Sequence, residues 1–221
     1  AIENEAIAET EPPLETKELD VAVIENRENE LVFDISMDDF IESYNSLFFR
    51  DKGKEYLKSK SAWRKFTYDD AIHSDHETSQ FEFTEDERIW SQPTITVYVP
   101  TNADYIQEIT VNFDEHGYSE SFYAEFEELC FYTLKVFFPD MPDEEIIALY
   151  EEANHLGNMN VFLKEDGYKK GCVPCVLYHK DGIGIYPYFA IREWVHLCII
   201  PVTQELIDDY EQKGVEIREI E

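Results

Sequence analysis

Apolar residues recur at helical spacing soon after residue 36. Five of them fall at i, i+1, i+4, i+7 and i+8, and so share one face of an amphipathic helix. They are Phe40, Ile41, Tyr44, Leu47 and Phe48. Ser36 is the expected N-cap, with Asp39 three residues later in a variant of the capping box. The polar residues between the apolar ones, Asn45 among them, are expected to face water.

The period changes to two between residues 63 and 113. Apolar and polar residues alternate in the segments QFEFTE, TITVYVP and EITVNFD. Strands of this kind have one buried and one wet face, as in an antiparallel sheet. The apolar positions are Phe81, Phe83, Ile95, Val97, Val99, Ile109, Val111 and Phe113.

The remaining half of the chain combines helical and strand patterns. SESFYAEFEELCFYTLKVFFPD predicts a helix that Pro139 ends, and a second helix is expected to start near Asp140. Lys180-Asp181-Gly182 predicts a hairpin turn, VHLCIIPV an inner strand, and residues 203–213 a short helix. These patterns together predict an α+β fold, with an antiparallel sheet and helices packed on one face. Residues 31–221 are expected to form a single α+β domain.

The chain is strongly acidic. Its 221 residues include 49 Asp and Glu against 18 Lys and Arg, a formal net charge of -31. Such a field repels phosphate, so neither nucleic acid nor an anionic membrane surface is an expected partner. With 43% hydrophobic residues the chain can still bury a core.

The first 30 residues differ in composition from the rest. They hold ten acidic against two basic residues, a Pro-Pro pair and no apolar period. This pattern predicts an acidic disordered or extended tether over residues 1–30. The first residue is Ala, so we expect a processed or truncated product whose membrane contact was made only by a removed N-terminal anchor.

Cys172-Val-Pro-Cys175 raises three interpretations. They are a disulfide oxidoreductase site, half of a zinc site, and an ordinary strand with two structural thiols. The residues that follow, VLYHKDG, read as a strand and a turn, so the dipole of a helix N-terminus is missing. We therefore favour structural thiols. If the chain is exported, a disulfide between Cys175 and Cys198 on neighbouring strands is a candidate.

Other features indicate no chemistry of their own. His73 and His76 lie in a polar segment that we interpret as a solvated loop, and no nucleophile, phosphate-binding or metal motif occurs. We expect no catalytic residues, metal or cofactor. Trp63, Trp90 and Tyr105 stand among polar residues and form a candidate recognition surface. The alternative is that these aromatics fill space between the helices and the sheet.

The chain resembles a loosely defined group of secreted or lipid-anchored proteins of Gram-positive gut bacteria. The resemblance covers about residues 33–200, through FDISMDDFIESYNSLF, ITVNFD, ALYEEANHLG and GYKKGCVPCVLY in that order. Phe40, Tyr44 and Asn45 occupy the places of the group's Phe/Tyr-Asn pattern, whereas Cys172-Val-Pro-Cys175 departs from it. The resemblance implies an exported, tethered α+β domain and carries over no catalytic residue.

These observations lead to three function hypotheses. The first is a non-enzymatic extracytoplasmic module, anchored at the cell surface or secreted, that binds an unknown protein or small ligand. The second is a cytosolic acidic antagonist, either an immunity protein or a nucleic-acid mimic. The third is a thiol oxidoreductase that uses Cys172 and Cys175.

Overall fold

The computed structural model describes residues 19–25, 30–68, 78–83, 92–100, 104–114, 119–156, 161–165, 168–173, 176–190 and 194–220. In chain order the helices and strands are β1 (Val23–Glu25), β2 (Leu31–Ser36), α1 (Met37–Lys52), β3 (Arg64–Tyr68), β4 (Thr78–Phe83), β5 (Thr94–Pro100), β6 (Tyr105–Ile106), β7 (Glu108–Asp114), α2 (Glu120–Phe137), α3 (Asp143–Leu156), β8 (Val161–Glu165), β9 (Tyr168–Val173), β10 (Val176–Lys180), β11 (Ile183–Ala190), β12 (Trp194–Pro201), α4 (Gln204–Gln212) and β13 (Glu216–Glu219).

An eight-stranded sheet organises the fold, with the strand order β13-β10-β11-β12-β7-β5-β4-β3. Every neighbouring pair is antiparallel except β10 and β13, which run parallel. β12 lies in the middle, as its apolar sequence predicts. Two smaller sheets, β1-β2-β6 and β8-β9, accompany the large one. The predicted α+β fold is confirmed.

The main core lies between one face of the large sheet and the helices α1, α2 and α3. The alternating apolar residues predicted on β4, β5 and β7 are all buried and all belong to this core. α1 packs on α2, and α2 packs on α3 and β7. The one-sided hydrophobic pattern of the strands thus selects the face that the three helices cover.

α1 begins at the predicted cap. The Ser36 hydroxyl accepts a hydrogen bond from Asp39 N at 3.1 Å, and the Asp39 carboxylate accepts one from Ser36 N at 3.2 Å. The expectation that Asn45 faces water is wrong. Its side chain donates to Leu57 O and accepts from the backbone N–H groups of Tyr56 and Leu57, which ties the segment after α1 to the helix.

The opposite face of the sheet is divided between an apolar and a polar part. α4 covers the apolar part, where Leu177, Val202 and Val215 form a second, small core. Val176 and Tyr178, the strand neighbours of Leu177, point to the main core. The fourth helix therefore lies on the other side of the sheet from α1–α3.

The chain enters the fold earlier than expected. β1 lies inside the segment predicted as a tether, and it pairs with β2 from Val23↔Phe33 to Glu25↔Leu31. Leu19, Val21 and Val23 are partly buried against the main core, which supplies the burial that holds this segment in place. Residues 1–18 lie outside the described residues. Within the described part of the chain, the helices are too short or too polar to cross a membrane.

Candidate functional site

The Cys172 backbone lies in a strand, as its sequence context predicts. Cys172 belongs to β9 and stands opposite Phe162 of β8, and the next element along the chain is β10. A redox cysteine needs the dipole and free amides of a helix N-terminus to lower the pKa of its thiol. Cys175, the other half of the motif, lies outside the described residues.

The two thiols in the described cores are buried and free. Cys130 lies on α2 and Cys198 on β12. Burial raises the pKa of both thiols well above the usual value, so both stay protonated at neutral pH. The free thiol of Cys198 gives no support to the predicted bridge with Cys175, and this pairing stays a prediction.

The three aromatic residues of the predicted recognition surface have different outcomes. Trp63 is only 6% exposed, its indole Nε1 donates to Lys58 O at 2.8 Å, and its ring packs on Phe83. The recognition role is therefore wrong for Trp63, which fills space in the core. Tyr105 is 38% exposed on β6, and Trp90 lies outside the described residues.

The described residues contain no candidate metal site. Among the described residues, no three His, Cys, Asp or Glu side chains come close enough together to hold a metal ion. His73 and His76 lie outside the described residues.

A polar strip crosses the sheet face opposite α1–α3. It consists of Thr94, Thr96, Thr110 and Asn112 on β5 and β7, and the last three of these are buried. Asn112 Nδ2 donates to Thr96 Oγ1 at 2.9 Å and to Thr94 Oγ1 at 3.3 Å. Thr110 Oγ1 has no hydrogen-bond partner among the described residues. The other face of β5 and β7, by contrast, carries only apolar residues.

Glu108 lies next to the polar strip, opposite Tyr98. Burial raises the pKa of its carboxyl to about 7. Its charge in turn adds to burial in raising the pKa of Cys198, Tyr186 and Tyr210. Glu108 can thus gain or lose a proton near neutral pH, whereas the thiol and the phenols keep theirs. Glu108 and its three neighbours thus include one possible acid or base, the Glu108 carboxyl, and no activated nucleophile.

A cavity of about 320 Å³ lies at the junction of α2 and α3, and we name it the α2–α3 pocket. Three separate segments form it: residues 19–21, the turn between α2 and α3, and the hairpin between β10 and β11. Apart from Pro139 and Pro142, the apolar residues of its wall are Leu19, Val21, Phe137, Phe138, Met141 and Ile183. Four of these six, Phe137, Phe138, Met141 and Ile183, are less than 8% exposed.

The opening of the α2–α3 pocket is acidic. Asp20, Asp140, Glu145 and Asp181 are all exposed lining residues. Lys180 is the one basic residue in the described lining of this pocket. The four carboxylates come from the same three segments as the apolar wall.

A buried lysine fixes the turn that forms one wall of the α2–α3 pocket. Lys135 Nζ donates to Pro139 O at 3.2 Å and to Met141 O at 2.7 Å. The same ammonium group forms an ion pair with Asp143 at 3.1 Å. These contacts link the end of α2 to the start of α3, so this wall is held in shape without a ligand.

The chain is thus an α+β protein with a cavity whose lining combines apolar and acidic residues. A scan against family models, a search of curated proteins and a search of solved structures each find no match.

Sequence reasoning did not find the α2–α3 pocket. Its residues come from positions as far apart as 19, 140 and 181, and each segment by itself reads as an ordinary turn or chain entry. The available signals were the turn FPDMPDEE and the hairpin turn KDG. Both predict direction changes of the chain, but neither says that they meet.

Proposed function

We propose that this protein is an extracytoplasmic, tethered, non-enzymatic module, and that the α2–α3 pocket is where it binds a protein or a small ligand. The observation that carries the proposal is the cavity itself. It has a volume of about 320 Å³ and is lined by both apolar and charged residues. Small-ligand sites are usually preformed concave cavities of this size or larger, in which a few polar groups fix the orientation of the ligand.

The extracytoplasmic part of the proposal has separate support. Residues 1–18 hold six acidic residues and one lysine, a composition typical of solvated linkers. This segment leads directly into Leu19, a wall residue of the α2–α3 pocket. The resemblance to secreted and lipid-anchored proteins points in the same direction.

The binding role can be tested with a matched pair of substitutions on α3. Glu145→Trp places an indole at the mouth of the α2–α3 pocket, while Glu144→Trp places it on the neighbouring exposed residue outside the lining. Native mass spectrometry of tagged protein recovered from source cells should show a bound species in the parent and in Glu144→Trp. The species should be absent from Glu145→Trp. Equal retention in both variants would exclude the pocket as the site.

The net charge of -31 favours a second candidate, a cytosolic acidic antagonist of a basic protein. Location separates the two candidates. We expect protease added to intact source cells to degrade the protein, because an exported domain is accessible from outside. Full protection until the cells are lysed would exclude the extracytoplasmic module and leave the antagonist.

A further inference from the structure

We propose that this protein binds an extended acidic segment of a partner protein along β3, so that the segment lengthens the large sheet by one strand. We name this surface the β3 edge, and it comprises β3 together with Lys54, Lys58 and Lys60 just before it. The hairpin that lines the α2–α3 pocket joins β10 to β11, near the opposite end of the large sheet. The inference thus concerns a second site and does not depend on the proposed function.

β3 offers backbone hydrogen-bonding groups on its outer side. It is the last strand of the large sheet, and β4 is its one strand partner in the described part of the chain. The five residues of β3 pair with β4 from Arg64↔Glu82 to Tyr68↔Thr78. In an antiparallel pair, alternate residues direct their N–H and C=O groups away from the partner strand. Such an edge is a template for the addition of another strand.

The chain is basic just before and at the start of β3, although the protein as a whole is acidic. Residues 50–65 contain seven of the 18 Lys and Arg residues and only two acidic residues. Six of these seven basic residues are exposed, and Lys60 is partly exposed. The Debye length is roughly 8 Å at physiological ionic strength, so the nearby ammonium groups outweigh distant carboxylates at this surface.

Four lysines of this segment form no ion pair with a described residue. They are Lys54, Lys58, Lys60 and Lys65. Lys60 Nζ and Lys65 Nζ lie 5.2 and 5.4 Å from the centroid of the same ring, that of Phe81. Two ammonium groups that share one ring repel each other, and an anion placed between them relieves this repulsion. The β3 edge therefore favours a negatively charged partner.

The backbone and the lysines together favour an acidic peptide over other anions. The formal net charge of -31 repels free anions and nucleic acid from the molecule as a whole. A peptide strand adds hydrogen bonds to the backbone of β3, which a phosphate backbone cannot form in a sheet. Alternate residues of a strand share one face, so an added strand can direct several carboxylates toward the lysines.

The first experiment measures the binding of three synthetic octapeptides by calorimetry or NMR. In the first peptide glutamate alternates with valine, and in the second lysine replaces glutamate. The third keeps the glutamates but has N-methyl groups on two consecutive central residues, which removes donors from both edges of the strand. We expect the first peptide to bind, and the other two to bind at least about tenfold more weakly.

Two results of this experiment would overturn the inference. If the first peptide does not bind, the lysines only protect the edge of the sheet against strand addition. If the first and the third peptides bind equally, charge acts without backbone pairing.

The second experiment tests the contribution of the lysines. Lys58→Glu reverses a charge at the β3 edge, and Lys213→Glu reverses an exposed charge directly after α4, which contacts β13 at the other end of the sheet. We expect roughly a three- to tenfold loss of affinity for the first peptide in Lys58→Glu and less than about a twofold loss in Lys213→Glu. Thermal unfolding checks that both variants remain folded. A similar loss in both would mean that only the overall field acts, and the inference would be wrong.

The third experiment locates the added strand by hydrogen exchange with mass spectrometry. Saturation with the first peptide should slow amide exchange in residues 64–68, because the outer N–H groups of β3 become hydrogen-bonded. Exchange in residues 216–219 of β13, the strand at the other end of the sheet, should not change. Binding that leaves exchange in β3 unchanged would exclude the β3 edge as the site.

Discussion

Glu108 links a single carboxyl group to the stability of the fold. Burial raises its pKa from 4.5 to about 7, so the folded state holds the proton more tightly than the unfolded chain does. This contribution to stability is complete below pH 4.5 and is lost as the pH rises through about 7. A difference of 2.5 pKa units corresponds to about 3 kcal/mol, an upper value because the residue keeps some contact with solvent.

The substitution Glu108→Gln should therefore change the pH dependence of unfolding. The amide does not ionise, so we expect the variant to gain up to about 3 kcal/mol over the parent at pH 8 and to match it near pH 4. Denaturant unfolding at several pH values measures the difference. Glu120→Gln, at an exposed position on α2, serves as the control. Parallel curves for the parent and Glu108→Gln would contradict the assignment.

Trp63 shows how a residue can mislead when only its neighbours in the sequence are known. Its neighbours are Ala62 and Arg64, both exposed, which made a surface position plausible. The indole is nevertheless buried, because Phe83 supplies apolar contact and Lys58 O accepts its N–H group. The Phe83 ring and Lys58 O contact the indole only in the folded chain. Local polarity therefore predicts exposure poorly for an aromatic residue that has a polar atom to satisfy.

At the scale of elements, α1 depends on a contact that its helical pattern does not show. Asn45 makes three hydrogen bonds to the backbone of Tyr56 and Leu57. We expect Asn45→Ala to lower the free energy of unfolding by about 2–3 kcal/mol, since three bonds are lost at roughly 1 kcal/mol each. Chemical denaturation measures the change.

A substitution at an exposed position of the same helix serves as the control for Asn45→Ala. Glu42 is exposed on α1, three residues before Asn45. Glu42→Ala should change the free energy of unfolding by no more than about 0.5–1 kcal/mol, which is usual for a surface position. If the two variants lose the same stability, the backbone contacts of Asn45 are not what holds the segment after α1.

The elements were predictable where their signals are local. Ser36 and Asp39 marked the start of α1 because a cap involves residues three apart, and Asp181-Gly182 marked the hairpin because both residues adopt positive φ. Strand order was not predictable in the same way. β7 pairs with β5 and β12, and the second pairing joins residues 80 to 90 positions apart. Alternation shows that a strand has a buried face and says nothing about its neighbours.

At the scale of the whole molecule, charge is the dominant global property. A formal net charge of -31 produces self-repulsion that the folded state concentrates in a smaller volume. We expect the midpoint of thermal unfolding at pH 7 to rise as NaCl increases from about 0.01 to about 0.3 M, since the Debye length shrinks from about 30 to below 10 Å. Differential scanning calorimetry measures the shift. A constant or falling midpoint would mean that specific ion pairs outweigh the repulsion.

The α2–α3 pocket also belongs to this scale, which explains why the sequence did not reveal it. Leu19, Asp140 and Asp181 lie together because β1 pairs with β2 and the β10–β11 hairpin is part of the large sheet. The net charge of -31 agrees with the acidic residues in the lining of this pocket. The composition does not predict that three distant segments form one cavity.

The parallel strand β13 has a consequence for how copies of the chain behave toward one another. It is the last strand on its side of the large sheet, and its outer edge carries Glu216, Arg218 and Glu219. Two copies meeting edge to edge in antiparallel register would bring carboxylates of one against carboxylates of the other. Fibril growth by strand addition is therefore opposed at this edge.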